Sequence, residues 1–171
     1  MLKQIILVFL IAINWSFSQI ISEPNLPPIE SFQDGEWFQL RLHYGPFNAS
    51  YASFSLESDS LNNKAVFHAK GFGETTGIAK WFFKVEDYYE SYFDQKTGLP
   101  YKFVRDINEG GYTKNIEIDF DHDEATAFVH DKKRNEINEF SIEYGVQDLI
   151  SSFYFLRKFL HQDFLCGGKL S

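Results

Sequence analysis

Apolar side chains recur at every second position along most of this chain, and that alternation limits what it can fold into. Phe38, Leu40, Leu42 and Tyr44 alternate with Gln39, Arg41 and His43 before Gly45-Pro46 ends the run. Ser50, Ala52, Phe54 and Leu56 make a second segment, closed by the polar Ser58-Asp59-Ser60, and Ala65, Phe67 and Ala69 a third that ends at Gly71. Tyr88 to Phe93 leads to a turn at Lys96-Thr97-Gly98, and Tyr101, Phe103 and Arg105 lead to Asn108-Glu109-Gly110-Gly111, whose glycines accept positive φ. Ile116, Ile118 and Phe120 follow, then a pair at Ala125 to His130 and Glu136 to Glu143. A period of two sends successive side chains to opposite faces of a strand, so these segments predict an antiparallel meander.

The period changes twice. Glu74 to Phe83 breaks the alternation and predicts a short helix on the sheet. Leu149, Ile150, Phe153, Tyr154, Leu156, Phe159 and Leu160 recur at helical spacing, with Asp148 near the start and Arg157 and Lys158 late, where they suit the helix dipole. Gly167-Gly168 is placed to stop that helix. The expected fold is mainly β (α+β): an antiparallel curved sheet or half-barrel with one short and one longer helix packed on it, in a single domain over 32–171.

The N-terminus predicts export. Lys3 precedes an uninterrupted apolar run, Ile5 to Ile13, and Ser16 and Ser18 supply small residues before Gln19. Residues 1–18 therefore read as a signal peptide, too short in its apolar run to span a bilayer comfortably. Pro24, Pro27 and Pro28 make 19–31 an extended lead-in. A formal charge of −8 without a basic stripe excludes a nucleic-acid partner. A single Cys excludes an internal disulfide framework and any multi-cysteine metal site.

Two blocks carry a resemblance. Asp87-Tyr88-Tyr89-Glu90-Ser91-Tyr92-Phe93-Asp94 with Thr97-Gly98-Leu99-Pro100, Phe103-Val104-Arg105 and Glu109-Gly110-Gly111-Tyr112 form the first. Asp148-Leu149-Ile150-Ser151-Ser152-Phe153-Tyr154-Phe155-Leu156-Arg157 forms the second, and Gly35-Glu36 stands before the first strand. Both resemble the exported bacterial family catalogued as domain of unknown function 3108, frequent in Bacteroidetes, over about Phe32 to Leu165. The resemblance implies a periplasmic or envelope location in a Gram-negative bacterium and a sheet-rich fold, with no assigned activity or catalytic residue. Members continue with further strands after the second block, so the sequence leads us to expect a domain lacking its last strands.

Catalytic and metal-binding patterns are weak. Asp119, Asp121 and Asp123 imitate a calcium loop, but Glu124 stands where glycine is needed and His130 where glutamate is needed, so a charged hairpin tip is expected. The five histidines lack ligand spacing, although His43, His68 and His130 could meet across strands. Gly71-Phe72-Gly73-Glu74-Thr75-Thr76-Gly77 lacks the strand–helix context of a dinucleotide loop. No G-x-S-x-G elbow is present and Cys166 has no recognisable His partner. We expect no cofactor, no metal and no catalytic residue.

An aromatic surplus is left, since aromatics make up 18% of the chain and cluster between Trp81 and Phe103. On a strand Tyr88, Glu90 and Tyr92 share one face while Tyr89, Ser91 and Phe93 share the other. The expected function is non-catalytic binding of an apolar ligand, a lipid or acyl chain, or of a protein partner in the envelope. The ligand-binding residues would be Trp81, Tyr88, Tyr92, Tyr101 and Phe103, beneath the Asp148 helix. By analogy of fold, periplasmic lipoprotein carriers hold lipid under a helical lid in a half-barrel. The alternatives are an envelope glycan enzyme using paired carboxylates such as Asp87 and Glu90, and a structural module pairing through a sheet edge. Oligomeric state is left open.

Overall fold

The computed structural model describes residues 32–44 and 47–165. The leader, the proline-rich lead-in, Cys166, Gly167-Gly168 and any later strand lie outside the described residues. Eight strands form one antiparallel sheet in simple chain order: β1 (Trp37–Tyr44), β2 (Phe47–Leu61), β3 (Lys64–Thr75), β4 (Val85–Asp94), β5 (Pro100–Glu109), β6 (Tyr112–Asp121), β7 (Thr126–Asp131) and β8 (Glu136–Ser141). β1 and β8 are its two edges, so the curved sheet is open. Helix α1 (Gly77–Phe82) links β3 to β4, and α2 (Leu149–Leu165) follows the sheet and packs on β3 and β4.

Turn chemistry sets the registers. Gly110 and Gly111 take φ of 59° and 91° between paired Glu109 and Tyr112, as the glycine pair predicts. The β4–β5 turn is closed by Asp94, whose Oδ1 accepts the N–H groups of Lys96 and Thr97 at 2.9 and 2.7 Å. Two boundaries differ from the sequence reading. β2 runs through Ser58-Asp59-Ser60 and turns at Asn62 and Asn63, at φ of 51° and 64°, because asparagine tolerates the left-handed region that a two-residue hairpin demands. β3 continues through Gly71 to Thr75, so Gly71 is a strand residue, and α1 starts at Gly77 and not at Glu74.

Gly71 is small because the helix comes close. A Cβ at that position would lie 2.9 Å from the Cδ1 of Ile150. Around this approach the core gathers Leu56, Ala69, Phe93, Phe103, Ile150 and Tyr154, with Phe32 closing it from before β1. Phe32 meets Phe67, Phe93 and Tyr154 edge to face, at centroid distances of 5.4, 6.2 and 5.2 Å, the arrangement the ring quadrupole favours.

Both described parts of α2 are fastened to the sheet. At the N-terminus, Asp148 Oδ1 accepts the N–H groups of Ile150 and Ser151, both at 2.8 Å, while Oδ2 accepts the hydroxyl of buried Ser91 at 2.6 Å. Ser151 Oγ in turn accepts the Asp148 N–H at 3.0 Å, a reciprocal cap. Burial pushes the Asp148 carboxyl up, against the pull of these donors. Two turns on, Arg157 reaches back to Glu36, with Nη2 to Oε2 at 3.1 Å and a second bond from Nη1 to Oε1.

Removing the cap should loosen the helix from the sheet. Asp148→Ala is expected to cost about 2 kcal/mol in urea denaturation, because it strips two helix N–H groups and the Ser91 hydroxyl of their acceptor. Asp148→Asn keeps an acceptor and should cost less than half of that.

Candidate functional site

The helix divides the sheet into two chemically different faces. Phe38, Phe54, Leu56, Ala69, Gly71, Tyr89, Ser91, Phe93 and Phe103 occupy register positions on the α2 side. Because α2 starts over Ser91 and runs toward Phe93 and Phe32, only its first turns reach over the rows beyond Ser91, with Ile150 on Gly71. There a cavity of 240 Å³ opens between the first turns of α2 and strands β2 to β4. Its floor is Ala52, Phe54, Gly71, Gly73 and Tyr89, its roof Leu149, Ile150 and Phe153, and its surface is almost entirely apolar. Phe153 stacks on Phe54 at 5.4 Å and lies against Phe38 at 5.5 Å, fixing the roof on the β1 side. Gly73 has nothing within 4 Å of where a Cβ would stand, so the space is open above it. Tyr89 brings the polar group nearest this floor, and burial and then the Asp87 carboxylate push its phenol up, keeping it neutral.

The opposite face is polar with aromatic islands. Trp37, Phe72 and Tyr88 line a shallow groove of 340 Å³ with Ser53, Ser55, Lys70 and Glu90. Next to it His68, only 8% exposed, stacks on Tyr92 at 4.0 Å and shares a hydrogen bond of 2.7 Å with Glu90 Oε2. Tyr92 also donates to Glu90 at 3.2 Å, and burial and then that carboxylate push its phenol up to about 12. Further along, Glu117 is clasped by Lys102 and by Lys132, whose Nζ lies 2.8 Å away.

The five predicted ligand residues do not converge. Phe103 is buried in the core on the α2 side. Tyr88 and Tyr92 face the other way, as the alternation of β4 requires. Tyr101 donates to Asp94 at 3.2 Å with Lys64 4.3 Å above its ring, in a separate pocket between the β2–β3 turn and β5–β6. Trp81 projects from α1, 92% exposed. The alternation of β4 sets Tyr88 and Tyr92 on one face and Phe103's neighbour Ser91 on the other, so the five residues do not share one groove. Gly71 and Gly73, two apart in β3, share the floor: Gly71 admits Ile150 and Gly73 leaves open space above it.

Paired carboxylates fare no better. Asp87 and Glu90 stand on opposite faces of β4, Asp87 accepting the Asn108 N–H at 3.1 Å, so they do not flank one bond. His43, His68 and His130 sit on β1, β3 and β7, separated by intervening strands. The acidic run is a hairpin tip, where Asp121 Oδ1 accepts the N–H groups of Asp123 and Glu124 at 3.1 and 3.0 Å. Among the described residues no group of three or more His, Cys, Asp or Glu is arranged to hold a metal ion. No described helix is long and apolar enough to cross a membrane.

With the sheet, its helix and the cavity in view, comparison places the chain among known families. Residues 39–165 match the family described as protein of unknown function (DUF3108). The chain belongs to that family. The match takes in β2 to β8, both helices and every residue lining the cavity, and it bears out the resemblance carried by the Asp87 and Asp148 blocks. No curated protein and no solved structure matches this chain.

The Glu117 cluster fixes part of the acid response. Lys102 and Lys132 hold its carboxyl down from 4.5 to about 2, so the stability it contributes is fully present above 4.5 and is lost as pH falls through about 2. Glu117→Gln should flatten that section of the acid limb in a plot of urea midpoint against pH, leaving the neutral end of the curve lower than in the parent protein.

Proposed function

We propose that this member of the family is a non-catalytic binder of an acyl chain, held in the cavity between α2 and the glycine floor of β2 to β4. The observation that carries this reading is the cavity itself: 240 Å³ of open space with an almost wholly apolar lining, kept free by Gly73, where a larger side chain would fill it. A space of that size and polarity accepts a flexible alkyl segment better than a polar metabolite, which would leave its hydrogen-bonding groups unpaired. Burying about ten methylenes yields about 8 kcal/mol before the costs of association, which puts the affinity at micromolar or weaker. The leader-like segment at 1–18 supports placing this activity in the periplasm or envelope of a Gram-negative cell. Asp148 and Ser91 hold the roof in position, Phe153 seals one wall, and neutral Tyr89 marks the polar end.

A second reading has its own support. β8 is exposed along its whole length at the edge of the sheet, with Ile137 and Phe140 more than half exposed, which suits pairing with a strand of an envelope partner. A photo-crosslinker at Asn138 should then give one dominant adduct in intact cells, and a bare monomer band would dismiss this reading.

The cavity is tested by filling it. Gly73→Leu places a side chain in open space without a backbone penalty, and should weaken uptake of a fluorescent fatty acid at least about tenfold while the urea midpoint stays near that of the parent. Tyr92→Ala, on the far face, should leave uptake unchanged. Equal uptake by the parent and Gly73→Leu would sink the cavity reading.

A further inference from the structure

The end of the sheet where β3 passes into β4 presents apolar surface that chain binding alone does not use. Helix α1 buries none of its residues, and Trp81 and Phe82 are 92% and 85% exposed. Ile78 and Phe83 are also more than half exposed. These rings are not a loose loop that has failed to pack. The Thr76 N–H donates to the Ala49 carbonyl at 3.0 Å, Thr75 Oγ1 donates to the Phe83 carbonyl at 3.0 Å, and the Gly110 N–H donates to the Lys84 carbonyl at 2.7 Å. Gly110 passes under the Phe83 ring, where a Cβ would collide with it. The backbone around α1 is therefore tied to β2, β3 and the β5–β6 hairpin, and holds the aromatic side chains outward.

Two further observations say what they meet. Lys80 and Lys84 flank the rings, their side chains 40% and 49% exposed, and both pair with Glu86, at 3.5 and 2.8 Å. Tryptophan and phenylalanine with adjacent lysines are the composition of segments that sit at a bilayer interface, rings among the upper acyl carbons and ammonium groups among the phosphates. Exposed leucines also stand in the rows that join this end to the cavity, beside polar Ser50 and Thr75. The cavity's outermost floor row, Ala52 paired with Gly73, is one strand repeat from Ser50 paired with Thr75, the row beside which α1 is anchored. On β1, Leu40 and Leu42 pair with Ala52 and Ser50 and are 55% and 65% exposed, and Leu149 of the roof is 60% exposed. A protein partner would account for the rings, but not for the exposed Leu40, Leu42 and Leu149 beside an apolar cavity.

We propose that this end of the molecule docks on a lipid bilayer, Trp81 and Phe82 entering the interface, so that an acyl chain passes between membrane and cavity along Leu149, Leu40 and Leu42. This rests on the acyl-chain reading above. With a formal charge of −8 the chain as a whole is repelled by an anionic surface, so the rings and not bulk electrostatics supply the attraction, and added salt does not release the protein.

The experiment uses the full chain with Trp15→Phe and Trp37→Phe, leaving Trp81 as the only tryptophan, and mixed phosphatidylethanolamine–phosphatidylglycerol vesicles. Trp81 emission should shift to the blue and be quenched by lipids brominated on the acyl chain, at low and high salt alike. In the otherwise native chain, Trp81→Ser with Phe82→Ser should slow transfer of a fluorescent fatty acid out of vesicles about tenfold, yet leave uptake from vesicle-free buffer unchanged. Trp81 emission that is neither shifted nor quenched overturns the docking rim, whatever uptake does. Uptake from buffer is read separately, so an absent cavity function shows there and not in the Trp81 signal.

Discussion

One buried carboxylate joins the helix of this protein to its sheet. Asp148 gives one oxygen to two N–H groups of the first turn of α2 and the other to the Ser91 hydroxyl at the middle of β4. A helix end buried without an acceptor would leave several donors unpaired, so this arrangement fixes where the helix begins. That starting point fixes the rest. Ile150 then falls on Gly71, Phe153 on Phe54 and Phe38, Tyr154 on Phe32 and Phe93, and Arg157 on Glu36. The rows on the far side of Ser91 lie under the first turns of α2 alone, and the cavity occurs there.

Much of this fold was legible because a period of two is a property of single strands, readable without knowing their neighbours. The eight strands, the change of period at Leu149 and the Gly110-Gly111 turn all follow from local pattern. Errors arose where one residue type serves two physical roles. Gly71 looked like punctuation, yet it lies within β3 because Ile150 needs its missing Cβ. Ser58-Asp59-Ser60 looked like a turn, yet the turn belongs to Asn62 and Asn63, whose left-handed backbone is not a matter of polarity. The site was less legible than the fold, since residues on different strands become neighbours only through register and through the side the helix covers. Trp81, Tyr88, Tyr92, Tyr101 and Phe103 are close in sequence and aromatic, and these properties do not choose a face.

The distribution of aromatic residues follows from the same division. On the α2 side, rings pack edge to face around Phe32 and stack at Phe38, Phe54 and Phe153, and supply the core. On the opposite side they stabilise polar groups, as Tyr92 does by stacking on His68 and donating to Glu90. A third set, on α1, does neither. The sheet thus carries its high aromatic content by spending it on three different tasks, and the family block Asp87 to Asp94 contributes to the first two from alternate residues of a single strand.

The strand order has a consequence for how the helix is held. Each strand pairs only with its neighbours in sequence, and α2 comes last, so no strand depends on the helix for a hydrogen-bonded partner. The ladder is therefore a chain of local hairpins, while the helix is attached through one cap, one ion pair and the side chains between them. The helix nevertheless supplies Ile150 and Tyr154 to the core, so the sheet depends on it for burial and not for backbone pairing. Strand register and helix docking are thus set by separate interactions: the ladder by backbone pairing between sequence neighbours, the helix by Asp148, Arg157 and the core side chains between them.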